Sequence, residues 1–312
     1  MKSVFKFILN TIPRPILIRL SIVIRPILAI LLKGSRYTDP IDGKSFRMFL
    51  PYGYGNQRNN VLSPSTLSLE RHRLLWLYLQ NETDFFYSEL VSESNELVLE
   101  SNELVLESNE LVSESNELVS ESNEPVSDSP ISKNKRIKLR NAETNSALKV
   151  LHFAPEQEFY KRFKKQKNID YTTTDLLSPL ADVKADICNL PFEDNTYDII
   201  FCNHVLEHIP NDTKAMQELY RVLKPGGMGI FQIPQDLLRA TTFSDDTIVD
   251  QKERAKIFGQ YDHVRVYGRD YFDKLRSIGF KVVEEDYTNK IAPELVEKYC
   301  LAKGEIIPVC FK

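Results

Sequence analysis

The sequence predicts an α/β protein: a doubly wound, mostly parallel seven-stranded sheet with a small N-terminal covering region. Two observations carry this expectation. From Leu148 onward, short runs rich in β-branched and aromatic residues alternate with helical segments, the pattern of an open sheet covered on both faces. The chain has 312 residues, of which 42% are apolar, enough to bury at least one full core and to exclude a wholly disordered chain.

Taken in order, residues 1–36 form a basic amphipathic segment. Its apolar run is interrupted by Lys2, Lys6, Arg14, Arg19, Arg25 and Lys33, so no uncharged stretch reaches the roughly 18 residues that span a bilayer. Pro13, Pro15 and Pro26 break any single helix. Short basic amphipathic pieces suit either an anionic membrane surface, contacted through residues 1–33, or packing on the rest of the protein. No small-residue cleavage site follows, which argues against a secretory signal.

Residues 37–87 combine turn signals, among them Asp39-Pro40, Asp42-Gly43 and Tyr52-Gly53-Tyr54-Gly55, with a helix expected over 65–80. Its Arg71-His72-Arg73 cluster reads either as a solvated face or as a substrate-facing one. From Leu90 a heptapeptide repeats Leu-Val at 90, 97, 104, 111 and 118. The apolar pair is side by side instead of at a and d positions, which argues against a coiled coil. With only two apolar residues in seven, burial cannot offset the entropy of ordering, so 88–145 is expected to be a disordered acidic insertion. Residues 74–132 hold 14 acidic residues and no Lys or Arg, so the formal charge of −4 conceals a basic remainder. Cys188, Cys202, Cys300 and Cys310 contain no CxxC pair, which points to a reducing, cytoplasmic compartment, with peripheral attachment to the inner membrane face as the extension of the N-terminal reading.

Within 146–312, strands are expected at 149–153, 169–174, 183–187, 197–203, 227–233, 280–285 and 305–311, and helices at 158–165, 212–223 and 269–277. Ligands of such sheets bind beyond the carboxyl ends of the strands. There lie the run Asp186-Ile-Cys-Asn-Leu-Pro-Phe192, then Tyr197-Asp198-Ile-Ile-Phe-Cys-Asn203-His204-Val-Leu-Glu207-His208, then Leu223-Lys-Pro-Gly-Gly227. Together they resemble the class I, type 11-like S-adenosylmethionine-dependent methyltransferases. The resemblance covers about half the chain. It implies the Rossmann-like methyltransferase fold with strand order 3-2-1-4-5-7-6, and S-adenosylmethionine as cofactor.

By that correspondence Asp175, with Leu176 beside it, would take the ribose diol, and Asp186 and Ile187 the adenine. Asn203 and His204 would border the methionine portion and methyl group. The first loop departs from the family: His152-Phe153-Ala154-Pro155-Glu156-Gln157-Glu158 has no glycine. Its acidic residues at a helix start would repel phosphate, which disfavours a dinucleotide, yet they suit an ammonium and a sulfonium. Ala154, Pro155 and Glu156 are therefore the expected cofactor contacts. The glycine-free loop also motivates an alternative, a noncatalytic binding protein on the same fold.

Upstream, Asp39, Asp42, Ser63 and Thr66 keep the spacing of the zinc-knuckle cysteines of a bacterial methyltransferase subfamily that this region resembles. Carboxylates and hydroxyls are poor structural zinc ligands, so a metal-free remnant is expected. His204-Val-Leu-Glu207-His208 also matches an inverted zinc-peptidase motif, a remote alternative that requires a helix and a third ligand. For methyl transfer the expected catalytic residues are His263, as the general base, with His204 and Asp236. Tyr261 and Tyr267 would either flank the acceptor or pack in the core. The expected partner is a small-molecule or glycan-type acceptor, lipid-linked if the N-terminus meets a membrane. No aromatic-interleaved basic module points to nucleic acid.

Overall fold

The computed structural model describes residues 24–53, 58–86, 136–139 and 146–312. Residues 1–23 of the basic segment, Tyr54, Gly55 and most of the acidic repeat lie outside the described residues, and with them those expectations.

The seven expected strands are all present. They are β5 (Leu148–Phe153), β6 (Ile169–Asp175), β7 (Val183–Lys184), β8 (Tyr197–Cys202), β9 (Leu223–Ile230), β12 (Lys281–Glu285) and β13 (Ile307–Phe311), after four short N-terminal strands and with β10 (Phe243–Ser244) and β11 (Arg265–Val266) between. The sheet runs β12-β13-β9-β8-β5-β6-β7, which is the expected order 3-2-1-4-5-7-6. Neighbours from β7 to β9 are parallel, and β13 enters antiparallel between β9 and β12. The expected third strand, 183–187, is shorter because Asp186 starts a turn in which its carboxylate accepts from the Cys188 N–H.

Alternation along each strand splits the core in two. Val150, Ile199 and Phe201 face one layer, and Leu151, Ile200 and Cys202 the other. The second layer is filled by α3 (Asp212–Val222) and α5 (Tyr271–Ile278) through Met216, Leu219, Tyr271 and Leu275. The first is filled by α2 (Gln157–Phe163), whose Phe159 and Phe163 rings stack at 5.3 Å, and by α1 (Glu70–Glu82), whose Leu74, Leu75 and Tyr78 share their core with the sheet. The covering region is thus part of the layer structure.

Helix α1 starts at Glu70, five residues later than the cap-type residues suggest. Leu67 has φ +63°, and the preceding hydroxyls are engaged elsewhere: Thr66 and Ser68 both donate to the buried Asp39 carboxylate. This turn follows the hairpin of β3 (Leu50–Tyr52) and β4 (Arg58–Leu62), and Asp39 follows β1 (Lys33–Thr38), which pairs with β2 (Ser45–Phe46). Asp39 and Thr66, two of the four positions in the knuckle-like spacing, therefore join the two turns directly.

Arg73 corrects the solvated-face reading of its cluster. It is fully buried, and its guanidinium donates to the carbonyls of Val61, Ser68, Tyr299 and Cys300 at 2.7–3.0 Å. A helical projection sees only charge; it cannot see four carbonyls arriving from distant segments. The chain leaves α1 and returns at one point: Thr83 bridges Ile137, and the Ile137 N–H donates to the Glu82 carbonyl at 2.7 Å.

Candidate functional site

Strand β5 lies between β6 and β8, so chain crossovers depart from it in opposite directions and leave a crevice beyond its carboxyl end. The loop after β5 turns sharply at Ala154, whose φ of +44° is the left-handed conformation that glycine favours. Pro155 is buried, and Glu156 sits at the N-cap position of α2. The Glu156 carboxylate contacts His152 Nε2 closely and accepts from Asn203 Nδ2 at 3.3 Å. Burial alone would raise its pKa, but the contact with His152 brings it down to about 2. The crevice therefore contains a carboxylate that stays ionised. Glu158, two residues further, is pushed up to about 7 by burial and by the charge of Glu156.

The residues expected at the adenosine lie at or just beyond strand ends. Asp175 ends β6, with Oδ1 accepting from the Leu177 and Ser178 N–H groups at 2.7 and 2.6 Å. These bonds fix the carboxylate at the strand edge. Leu176 beside it is 61% exposed, Asp186 is exposed and Ile187 is buried. A diol and an aromatic base would meet here a fixed acceptor and an apolar wall.

After β8, Asn203 is buried, with Oδ1 accepting from the Gln232 N–H at 3.2 Å, and His204 adopts φ +54°. His204 Nδ1 lies 3.3 Å from Glu207 Oε1, while its Nε2 is buried and has no partner. The covering helix supplies groups that the sequence left open. His72 Nδ1 accepts from the Leu69 N–H at 3.2 Å, which places the proton on Nε2; that atom too is buried without a partner. Burial, then the neighbouring Arg71 charge, hold His72 well below its ordinary pKa, so it is neutral. Arg71 Nε and Gln232 Nε2 are likewise orphaned.

Native interiors rarely leave so many polar atoms unpaired, so this cluster marks a place for a polar ligand. Its chemistry fits S-adenosylmethionine: an ionised carboxylate for an ammonium or sulfonium, and Arg71 with the His72 N–H for a carboxylate. His72 belongs to the cluster whose role the sequence leaves open between a solvated and a substrate-facing face, and Glu158 is legible only as an acidic residue at a helix start. The signal for them was weak in kind, a His and a Glu next to residues already singled out.

The expected catalytic residues are placed differently from one another. His263 is buried, its Nδ1 3.2 Å from the Phe258 carbonyl and its ring perpendicular to that of His208 at 4.8 Å. Asp236 lies at the loop after β9, where its carboxylate accepts from the Leu238 N–H and pairs with Arg239 at 3.2 Å. Arg265 ties the loop to the domain through the carbonyls of Ile209 and Pro210, both at 2.7 Å. Tyr267 is fully buried and donates to Asp212 at 2.9 Å, so it packs in the core, whereas Tyr261 is 48% exposed. The peptidase reading fails on geometry. Residues 206–208 form a 3-10 turn after a strand, and His204 pairs with Glu207 instead of lying one helical turn from His208.

Residues 139–231 match the family model described as a methyltransferase domain. A sterol 24-C-methyltransferase of Schizosaccharomyces pombe is 32% identical over 131 residues, covering 40% of this chain and 32% of that protein. A demethylmenaquinone methyltransferase of Staphylococcus epidermidis is 46% identical over 46 residues, 15% of this chain and 19% of that protein. The matches thus span between about a fifth and a third of these relatives' length. A solved S-adenosylmethionine-dependent methyltransferase from Archaeoglobus fulgidus is 16% identical with a TM-score of 0.36, covering 54% of this chain and 87% of that one. Residues 139–231 are thus similar to a methyltransferase domain, and the sheet around them has the strand order 3-2-1-4-5-7-6 that the resemblance to S-adenosylmethionine-dependent methyltransferases implies.

Proposed function

We propose that the protein transfers the methyl group of S-adenosylmethionine to a lipophilic acceptor. The observation that carries the cofactor half is the set of unpaired, buried polar atoms of Arg71, His72, His204 and Gln232 around the ionised Glu156. In this reading Asp175 and Leu176 hold the ribose, Asp186 and Ile187 the adenine. Ala154, Pro155, Glu156 and Asn203 border the methionine portion. His204 would border the methyl. When bound, S-adenosylmethionine would supply an electrophilic methyl carbon to the acceptor's lone pair, the bonding pair staying on sulfur to give a neutral thioether. The protein's work is alignment and, for a protonated acceptor, proton removal. The unpartnered Nε2 of His204 suits that proton; His263 and Asp236 border the acceptor side.

A lipophilic or lipid-linked acceptor, such as a membrane-borne glycan intermediate, is supported by two facts. The relatives named above act on a sterol and a quinone precursor by their names. In the helical stretch 24–31, Ile24, Ile27, Ile30 and Leu31 are exposed at helical spacing, while Arg25 turns inward to donate to Gln157 at 3.2 Å. That stripe suits the surface of a membrane, and no helix among the described residues is long and apolar enough to cross one.

Calorimetry with S-adenosylmethionine tests the cofactor half: saturable binding is expected, weakened at least about tenfold by Asp175→Ala. Absence of binding in the wild-type chain would overturn it. Incubation of a membrane fraction with methyl-labelled donor tests the rest. Label extracted with lipid supports the acceptor class, and cofactor binding with no labelled product in any fraction favours the noncatalytic alternative.

A further inference from the structure

We propose that Glu207, His208 and His263 form a binding site for a divalent transition-metal ion on the acceptor side of the crevice. One donor atom from each residue lies within 4.8 Å of the other two, the only such group of three among the described residues. Glu207 is 1% exposed, yet its Oε2 has no partner. A carboxylate oxygen buried without a partner is costly unless something positive meets it.

The surroundings have the features of an outer ligand shell. His263 Nδ1 is held by the Phe258 carbonyl at 3.2 Å. His208 Nδ1 lies 3.3 Å from the Asp262 carbonyl and 3.5 Å from the Asp262 carboxylate. A carbonyl or carboxylate on Nδ1 fixes the tautomer and leaves the Nε2 lone pair for a metal. His204 Nδ1, at 3.3 Å from Oε1, orients Glu207 from the other side. The ligand-bearing segments are also locked together. The Val264 N–H donates to the Glu207 carbonyl at 3.0 Å, and Arg265 grips the two carbonyls that follow His208. His208, 29% exposed, leaves the group open to solvent.

Two imidazoles and one carboxylate suit zinc, manganese or iron(II), not magnesium or calcium, which take mainly oxygen ligands. Bonds of about 2.1 Å place tetrahedral ligands roughly 3.4 Å apart, so donors that now lie within 4.8 Å of one another must close by up to about 1.4 Å, within reach of side-chain rotation. Three protein ligands leave at least one position open, the arrangement of sites that bind an exogenous oxygen. That position, next to His204, suits a hydroxyl or enol oxygen of the acceptor. This role rests on the methyltransferase reading; metal binding itself does not.

The test uses the full chain, stripped with a chelator. Zinc is titrated calorimetrically and cobalt(II) by its visible absorption, with S-adenosylmethionine binding measured separately on the same samples. One zinc per chain is expected, with cobalt bands of a site of low symmetry. Glu207→Gln and His208→Ala should each weaken zinc by about 100-fold or more, and Asp262→Ala by about tenfold. Circular dichroism of each variant confirms that it folds. Because His208 and Asp262 are partly exposed, at least these two should do so. Absence of saturable binding, or equal affinity in wild type, Glu207→Gln and His208→Ala, overturns the site. Zinc bound without cofactor would keep the metal site and sink the methyltransferase reading; cofactor bound without zinc does the reverse.

Discussion

Glu158 makes the folded state sensitive to pH in a calculable way. Its side chain is 11% exposed and its carboxyl is raised from an ordinary 4.5 to about 7. Burial is the main cause and Glu156 adds to it, while Arg25 and Arg71 pull the other way; His72, 3.9 Å from Glu158, is neutral. Between pH 4.5 and 7 the folded chain keeps this proton and the unfolded chain has lost it. Stability therefore falls as pH rises through that window and levels off above it. A shift of this size corresponds to about 3 kcal/mol. Glu158→Gln retains the shape and a neutral head group, so the variant should gain on the wild type as pH rises and exceed it near pH 8. Urea unfolding of both chains at pH 5 and pH 8, without cofactor, measures the change in their difference. Taking the difference cancels other groups, including Glu305, which burial also raises. A difference that is the same at both pH values would refute the reasoning. Added S-adenosylmethionine should draw the proton off Glu158, since a cation beside Glu156 favours both carboxylates ionised. Calorimetry in buffers of different ionisation enthalpy would register proton release near pH 7.

Two other perturbations probe the covering region. Arg73→Leu removes donors from the carbonyls of Val61, Ser68, Tyr299 and Cys300 and leaves them buried; a loss of about 3–5 kcal/mol is expected in denaturant unfolding, and a loss under about 1 would mean that water replaces the guanidinium. Replacing residues 90–130 by a short Gly-Ser linker should change stability by no more than about 1 kcal/mol and leave S-adenosylmethionine affinity unaltered, because the chain leaves and returns across the Thr83–Ile137 bridge.

The sheet was legible because each strand announces itself locally: Val150, Leu151, Ile199, Ile200 and Phe201 are buried on both faces and read as short continuous apolar runs. Strand β7 and the start of α1 were misjudged at their boundaries. There, side chains of Asp186, Thr66 and Ser68 bond to partners that spacing does not reveal. The short elements β10, β11 and α4 (Gln251–Ile257) left no periodic trace, since none buries a whole face. At the site, Asp175, Asp186 and Asn203 could be singled out because they end strands or closely follow them. For His72, in a cluster open between a solvated and a substrate-facing role, the choice depends on α1 packing over β5 and β8, a contact between segments far apart in sequence. The glycine-free loop was legible as an anomaly, and the structure supplies its reason: Ala154 takes the left-handed turn, and His152 with Asn203 holds Glu156 in the crevice.

These contacts bear on what counts as the catalytic unit. Viewed by sequence, 146–312 is the methyltransferase domain and everything before it is appended. Physically, the face of β5 and β8 that carries Val150, Ile199 and Phe201 is covered partly by Leu74, Leu75 and Tyr78 of α1. The same helix brings Arg71 and His72 to the crevice, and Arg73 fastens it to the segment between α6 (Pro293–Lys298) and β13. The anchor Arg73 and the site residue His72 are adjacent, so a displacement of α1 large enough to free the guanidinium also withdraws the imidazole. Stability of the covering helix and competence of the cofactor site are therefore coupled through consecutive residues. In Arg73→Leu, cofactor affinity should fall together with stability even though Arg73 does not face the crevice. An Arg73→Leu chain that unfolds early yet binds S-adenosylmethionine at full strength would show instead that α1 only covers the site.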